Sequence, residues 1–132
     1  MKRIVHVEDS LEWQDNLRIA LASLIEKGLE VNIYSCIESF RKANYPRADL
    51  YVLDIHLPEK PSEVPNDKSW KSLLKTIVSL YPQQNIILLS YYPPKDWQRY
   101  KNVVGAVQKE KFNPLEFRIL VENYLQLNSQ KS

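Results

Sequence analysis

Five short runs rich in β-branched residues and leucine recur along the sequence, at 3–7, 30–34, 49–53, 85–89 and 103–107, with amphipathic stretches between them. This alternation is the pattern of βα units. It specifies a parallel sheet, because parallel neighbours need a crossover long enough to hold a helix. The runs at 50–53 and 86–89 are apolar at every position, so both of their faces must be covered. A three-layer α/β/α arrangement with a five-stranded parallel sheet is therefore expected. The 132 residues fit one domain with a single core, taken here as 1–132.

The intervening stretches carry helix signals. Leu17, Leu21, Leu24 and Ile25 share one face of a helix expected over 11–27, and Gly28 supplies its stop. Ser35 with Glu38 reads as a capping box for a short helix ending near Asn44. Trp70, Leu73, Leu74, Ile77 and Val78 stripe another helix that ends at Pro82. Between the fourth and fifth strands, Pro93–Pro94 open only a weak helix. Asn113, Pro114 and Glu116 supply an N-cap, a first-turn proline and an N3 carboxylate for a last helix running to about Leu127. Residues 59–66, with two prolines and three charges, read as a surface loop.

Composition excludes several functions. No apolar run approaches the roughly 18 residues of a membrane span, and Glu8 and Asp9 end the first apolar run too early for a signal peptide. A cytoplasmic location is expected. Cys36 is the only cysteine, so neither an internal disulfide nor a cysteine-based zinc site can form, and the thiol is expected to pack as a small hydrophobe. Two glycines, Gly28 and Gly105, cannot build a phosphate-cradling GxxxxGK or GxGxxG loop. A net charge of +2 spread without blocks points to neither nucleic acid nor membrane, and no helix-turn-helix segment is left once the βα units are assigned.

In an open parallel sheet, ligands bind beyond the carboxyl ends of the strands. Glu8 and Asp9 follow the first run, Asp54 the third and Ser90 the fourth, with Lys109 just past the fifth. With the first and third strands adjacent, three carboxylates, a hydroxyl and an ammonium would converge on one crevice. Three carboxylates repel one another and call for a cation. All-oxygen ligands with room for water suit Mg²⁺. His6 is expected to be a packed strand residue, not a ligand, and Trp13, Trp70 and Trp97 to be core or interface aromatics.

These residues, in this order, resemble the receiver domains of two-component response regulators, over essentially the full chain. "VEDS" is similar to the family's acidic pair, which implies direct Mg²⁺ binding by Asp9 and water-mediated binding by Glu8. "LYVLDIHLP" resembles the phosphoacceptor segment, which implies phosphorylation on Asp54 and a metal ligand in the backbone carbonyl of His56. Ser90, closing "NIILLS", matches the switch hydroxyl, and Lys109 in "VQKEKF" the lysine that pairs with the phosphoryl group. The resemblance implies a flavodoxin-like (βα)5 fold with strand order 2-1-3-4-5. It also implies a donor that is a histidine kinase or phosphotransfer protein, a separate output partner, and a possible homodimer through the face of the fourth helix, fifth strand and fifth helix. With all residues assigned to the βα units, the receiver is expected to be of the stand-alone type, with no enzymatic role beyond its own phosphorylation and dephosphorylation.

Several positions depart from the family. Glu110 stands where a proline usually follows the lysine, so Lys109 is expected to be held less rigidly. Tyr91 replaces a small residue after Ser90 and narrows access to the site. Ala106 stands where an aromatic switch residue is usual, leaving Tyr91 or Tyr92 to carry the motion of Ser90 outward. The segment from Asp54 to Ser90 is long and that from Ser90 to Lys109 short, which implies a reduced fourth helix. Two other readings follow. One is a degenerate receiver that binds partners without phosphorylation. The other is a phosphatase using Asp54 as nucleophile, which would want a second aspartate where His56 stands.

Overall fold

The structure, a computed structural model, describes residues 2–61, 63–66 and 68–125. In chain order it contains β1 (Arg3–Val7), α1 (Leu11–Ala20), α2 (Ala22–Glu26), β2 (Glu30–Tyr34), α3 (Ile37–Lys42), β3 (Leu50–Leu53), α4 (Ser69–Leu80), β4 (Ile86–Ser90), β5 (Val103–Gln108) and α5 (Pro114–Leu125). Single 3-10 turns lie at Trp97–Arg99 and Lys109–Lys111. The strands pair in parallel in the order β2-β1-β3-β4-β5, as expected.

Strand alternation divides the interior into two apolar layers. Tyr51, Leu53, Ile86 and Leu88 face Ile37, Phe40, Trp70, Leu73 and Ile77 of α3 and α4. Leu50, Val52, Ile87 and Leu89 face Trp13, Leu17, Leu21, Phe117 and Val121 on the other side. All eight strand residues are fully buried, which is why these two strands read as continuous apolar runs.

The helix expected over 11–27 is interrupted at Leu21 (φ −103, ψ 11), whose carbonyl accepts from both Leu24 and Ile25. The tightened turn keeps Leu17, Leu21 and Leu24 buried on one side. Beyond α2, Gly28 has φ +110. Its N–H donates to Ile25 O at 3.0 Å and that of Leu29 to Leu24 O at 2.9 Å, the paired bonds of a Schellman stop.

The expected capping box at Ser35 is corrected. Cys36 is the N-cap of α3, its Sγ accepting from Ser39 N at 3.4 Å, while Glu38 pairs with Lys42. Two further donors of α3, Ile37 N and Glu38 N, reach Pro58 O (3.1 Å) and Glu59 O (2.8 Å) across the fold. The capping box lost because those carbonyls already fill the first turn.

The segment after β3 is more ordered than a bare surface loop. Leu57 and Asn66 form an antiparallel bridge, Glu59 pairs with Arg41, and Asn66 Oδ1 accepts from Lys68 N and Ser69 N to start α4. Between β4 and β5 the helix is reduced to the one 3-10 turn at Trp97–Arg99. Pro93 and Pro94 bring no N–H to it. For α5, Asn113 Oδ1 accepts from Glu116 N at 3.0 Å, as its N-cap should. The expected end near Leu127 lies outside the described residues.

Candidate functional site

The carboxyl ends of β1, β3, β4 and β5 meet where the strand order reverses around β1. Glu8 N donates to Tyr34 O (2.9 Å) and Asp54 N to Val7 O (3.0 Å), extending the ladder one residue past each strand and fixing both backbones. Their side chains are buried. Asp9 is half-buried beside them, and ligating oxygens of Glu8, Asp9 and Asp54 all lie within 4.8 Å of one another. Ser10 caps α1 through Trp13 N at 3.4 Å and donates its own N–H to Glu8 Oε2 at 3.2 Å. Gln14 Nε2 holds the Glu8 carbonyl at 2.7 Å.

Lys109 enters from beyond β5. Its buried Nζ lies 2.8 Å from Glu8 Oε1 and 3.4 Å from Asp54 Oδ2. Ser90 pairs in register with Gln108 and is fully buried at the end of β4, where its Oγ accepts from Tyr92 N at 3.4 Å. His56 N donates to Asp54 Oδ1 at 3.2 Å, closing a tight turn that orients the carboxylate. The structure thus gathers the three carboxylates and the lysine, and sets Ser90 and His56 on the adjoining strand end and turn.

Electrostatics here are unbalanced. Burial and the negative charge of Asp54 push the Glu8 carboxyl up from its usual 4.5 to about 8, despite the opposing pull of Lys109. Glu8 Oε1 is paired with the Lys109 ammonium at 2.8 Å. Behind it, His6 is fully buried in β1 with neither ring nitrogen hydrogen-bonded. Burial, then Lys109, then Arg18 lower its pKa to about 3, so it is a neutral packing residue. Three converging carboxylates against one ammonium fit a hard divalent cation.

Two residues contribute more than the sequence suggested. Trp13 is buried, as expected of a core aromatic, but its indole Nε1 donates to Tyr91 Oη at 3.1 Å. Lys109 Nζ lies 5.3 Å from the Trp13 ring centroid and 5.4 Å from that of Tyr91. The partners are 78 positions apart, and no periodicity or motif links them.

Comparison with family models finds no match, and neither does comparison with curated proteins. Solved structures do match. A CheY-like response regulator receiver domain protein from Methanospirillum hungatei is 20% identical, with a TM-score of 0.74 over 100% of this chain and 99% of that one. The BeF3-activated receiver domain of DrrB is 21% identical with a TM-score of 0.72, over 96% and 98% of the two chains. The response regulator TrrA from Thermotoga maritima, in complex with Mg²⁺ and BeF, is 23% identical with a TM-score of 0.66, over 94% and 99%. The chain has the fold of response-regulator receiver domains.

Proposed function

We propose that this chain is a single receiver domain whose Asp54 accepts a phosphoryl group and thereby switches binding to a partner protein. The observation that carries the reading is the convergence of Glu8, Asp9, Asp54 and Lys109 at the carboxyl ends of β1, β3 and β5, the end where such sheets bind ligands. One Asp54 carboxylate oxygen attacks the donor phosphorus. The bond from phosphorus to the donor atom breaks, and its electron pair leaves with the donor. An ionised aspartate needs no separate base.

Mg²⁺ held by Asp9, Asp54 and the His56 carbonyl, with Glu8 through water, would supply charge that offsets the phosphoryl oxygens. Lys109, already 3.4 Å from Asp54, adds a fixed cation on the opposite flank. Ser90, whose oxygen accepts from Tyr92 N, donates a hydrogen bond from its hydroxyl to an acquired oxygen. The added charge of about −1.5 to −2 is then felt along the segment that follows Ser90. The donor class is a histidine kinase or phosphotransfer protein, which the receiver-fold likeness supports. No described helix is long and apolar enough to cross a membrane, and we place the reaction in the cytoplasm.

Intact-mass measurement after incubation with acetyl phosphate tests this. One added phosphoryl group is expected, dependent on Mg²⁺ and lost in Asp54→Asn. Labelling that persists without metal, or at another residue, would sink the reading. The reduced β4–β5 helix and Ala106 favour a second reading, a degenerate receiver with phosphorylation-independent binding. Equal partner binding by wild type and Asp54→Asn, with phosphodonor present, would support it instead.

A further inference from the structure

The ammonium of Lys109 is bounded by carboxylates and by aromatic rings. Glu8 and Asp54 hold it at 2.8 and 3.4 Å, and the Trp13 and Tyr91 ring centroids lie 5.3 and 5.4 Å away. Both distances lie inside the roughly 6 Å reach of a cation–π contact. The two rings meet at right angles, with centroids 6.1 Å apart, and are tied by the hydrogen bond from the Trp13 indole to the Tyr91 hydroxyl. Trp13 is itself fixed from two directions. Its backbone is capped by Ser10, and its ring stands edge-on to Phe112 at 5.2 Å. Phe112 closes the turn that begins at Lys109, its N–H donating to Lys109 O at 3.2 Å. The aromatic wall therefore spans three separate segments: α1, the residue after Ser90, and the turn carrying the lysine.

We infer that Trp13 and Tyr91 form an aromatic clamp that positions Lys109 on the phosphoacceptor carboxylate, adding a side-chain constraint to that of the Lys109–Lys111 turn. This rests on the phosphoacceptor reading. A lysine has four rotatable bonds and a compact, strongly hydrated charge. Left open to water beyond Glu8 and Asp54, it would sample many orientations. Two π faces replace that water and leave the carboxylate direction as the favourable one. Because Tyr91 directly follows Ser90, the same contact links the switch hydroxyl to the lysine. Any motion of Ser90 large enough to drag Tyr91 must break the bond to Trp13.

The test combines kinetics with a spectroscopic readout that needs no phosphodonor. Trp13→Leu keeps an apolar filler but removes the ring. The expected result is a fall in the maximal rate of acetyl phosphate labelling on the order of tenfold, the scale of one desolvated cation–π contact, with the half-saturating donor concentration changed less. Trp13→Phe restores a ring and should recover most of the rate. In a Lys109→Ala background, Trp13→Leu should have no further effect, since there is no ammonium left to position. By NMR, the Lys109 ε-methylene protons should be ring-current shifted in wild type and return towards ordinary values in Trp13→Leu. The Trp13 indole N–H should exchange faster with water in Tyr91→Phe. An equal slowing by Trp13→Leu with and without Lys109, or unshifted Lys109 resonances in wild type, would overturn the clamp. Failure of wild type to label at Asp54 would instead overturn the phosphoacceptor reading, and the NMR arm would still decide the clamp.

Discussion

The two halves of the site are built to different standards. The carboxylate half, Glu8 with Asp54, sits on backbones locked by ladder bonds to Tyr34 and Val7 and is buried. The other half, the proposed switch, begins equally buried at Ser90, but runs at once into Tyr91 and Tyr92, 46% and 77% exposed, and then into a connection with only one 3-10 turn. Charge chemistry tolerates little positional error, because a fixed dipole or ion acts without reorganising. A segment that must move is drawn from the less tightly packed end of the structure. The difference separates the place where a phosphoryl group would be bonded from the place where its arrival would be read.

Perturbations of each half should differ in kind, and the largest effect belongs to the first. Lys109→Ala should slow labelling on the order of a hundredfold, the usual consequence of deleting one preorganised charge, while leaving Asp54 able to react. It should also uncouple the remaining label from partner binding. Mass spectrometry over time and a binding titration check the two parts. Undiminished coupling would show that the switch half reads the phosphoryl group without the lysine.

Next in size are two opposed pH effects from the buried half. His6 titrates near 3 when folded against 6.5 when unfolded. Between those values the unfolded chain binds more protons, so stability present above 6.5 is lost on acidification, by on the order of a few kcal/mol. Glu8 is displaced the other way, from 4.5 to about 8. The folded chain binds more protons in that window, so stability falls as pH rises through it. The two nearly cancel between 4.5 and 6.5. Metal-free protein should then lose denaturation midpoint both below 4.5 and from 6.5 to 8. Added Mg²⁺ should remove the alkaline loss and let the acid loss begin near 6.5, whereas His6→Leu should remove the acid loss and let the alkaline loss begin near 4.5. An alkaline loss untouched by Mg²⁺ would separate Glu8 from metal binding.

The smallest expected change lies far from both halves. Gly28→Ala meets nothing within 4 Å, yet must adopt φ +110, which costs a residue with a Cβ about 1 kcal/mol. Chemical denaturation should show that loss with labelling unchanged. A change in labelling would mean that α1 transmits strain to the site through Trp13.

The parts legible in the sequence were those set by short-range pattern. The strands at 3–7 and 30–34 stand where the alternation placed them, and the other three lie within a residue, because a two-sided apolar run has few other ways to be buried. The Gly28 stop and the Asn113 cap were equally local. Boundaries set by distant partners were not legible. The cap of α3 moved to Cys36 because carbonyls from 58–59 occupy its first turn, and the long helix broke at Leu21. At the site, the carboxylates and the lysine were readable as residues at strand ends. The aromatic wall was not, since Tyr91 read as bulk near the site and a carrier of Ser90's motion and Trp13 as a core or interface aromatic, with nothing to pair the two.

The hydrogen bonds from α3 to Pro58 and Glu59 give the molecule a mechanical asymmetry. The turn that begins at Asp54 is stitched to a neighbouring helix, so displacing it would strand two helix N–H groups at roughly 1–3 kcal/mol each where water cannot replace the bond. That stitching acts as a stiff spring on one flank of Asp54. On the other flank, residues 91–96 have local bonds from Tyr92 N to Ser90 and from Trp97 N to Pro94, and reach a neighbouring helix through the Trp13–Tyr91 bond. A force generated at Asp54 moves the softer support first, so the fold itself would act as a rectifier, sending displacement towards β5 and sparing α3.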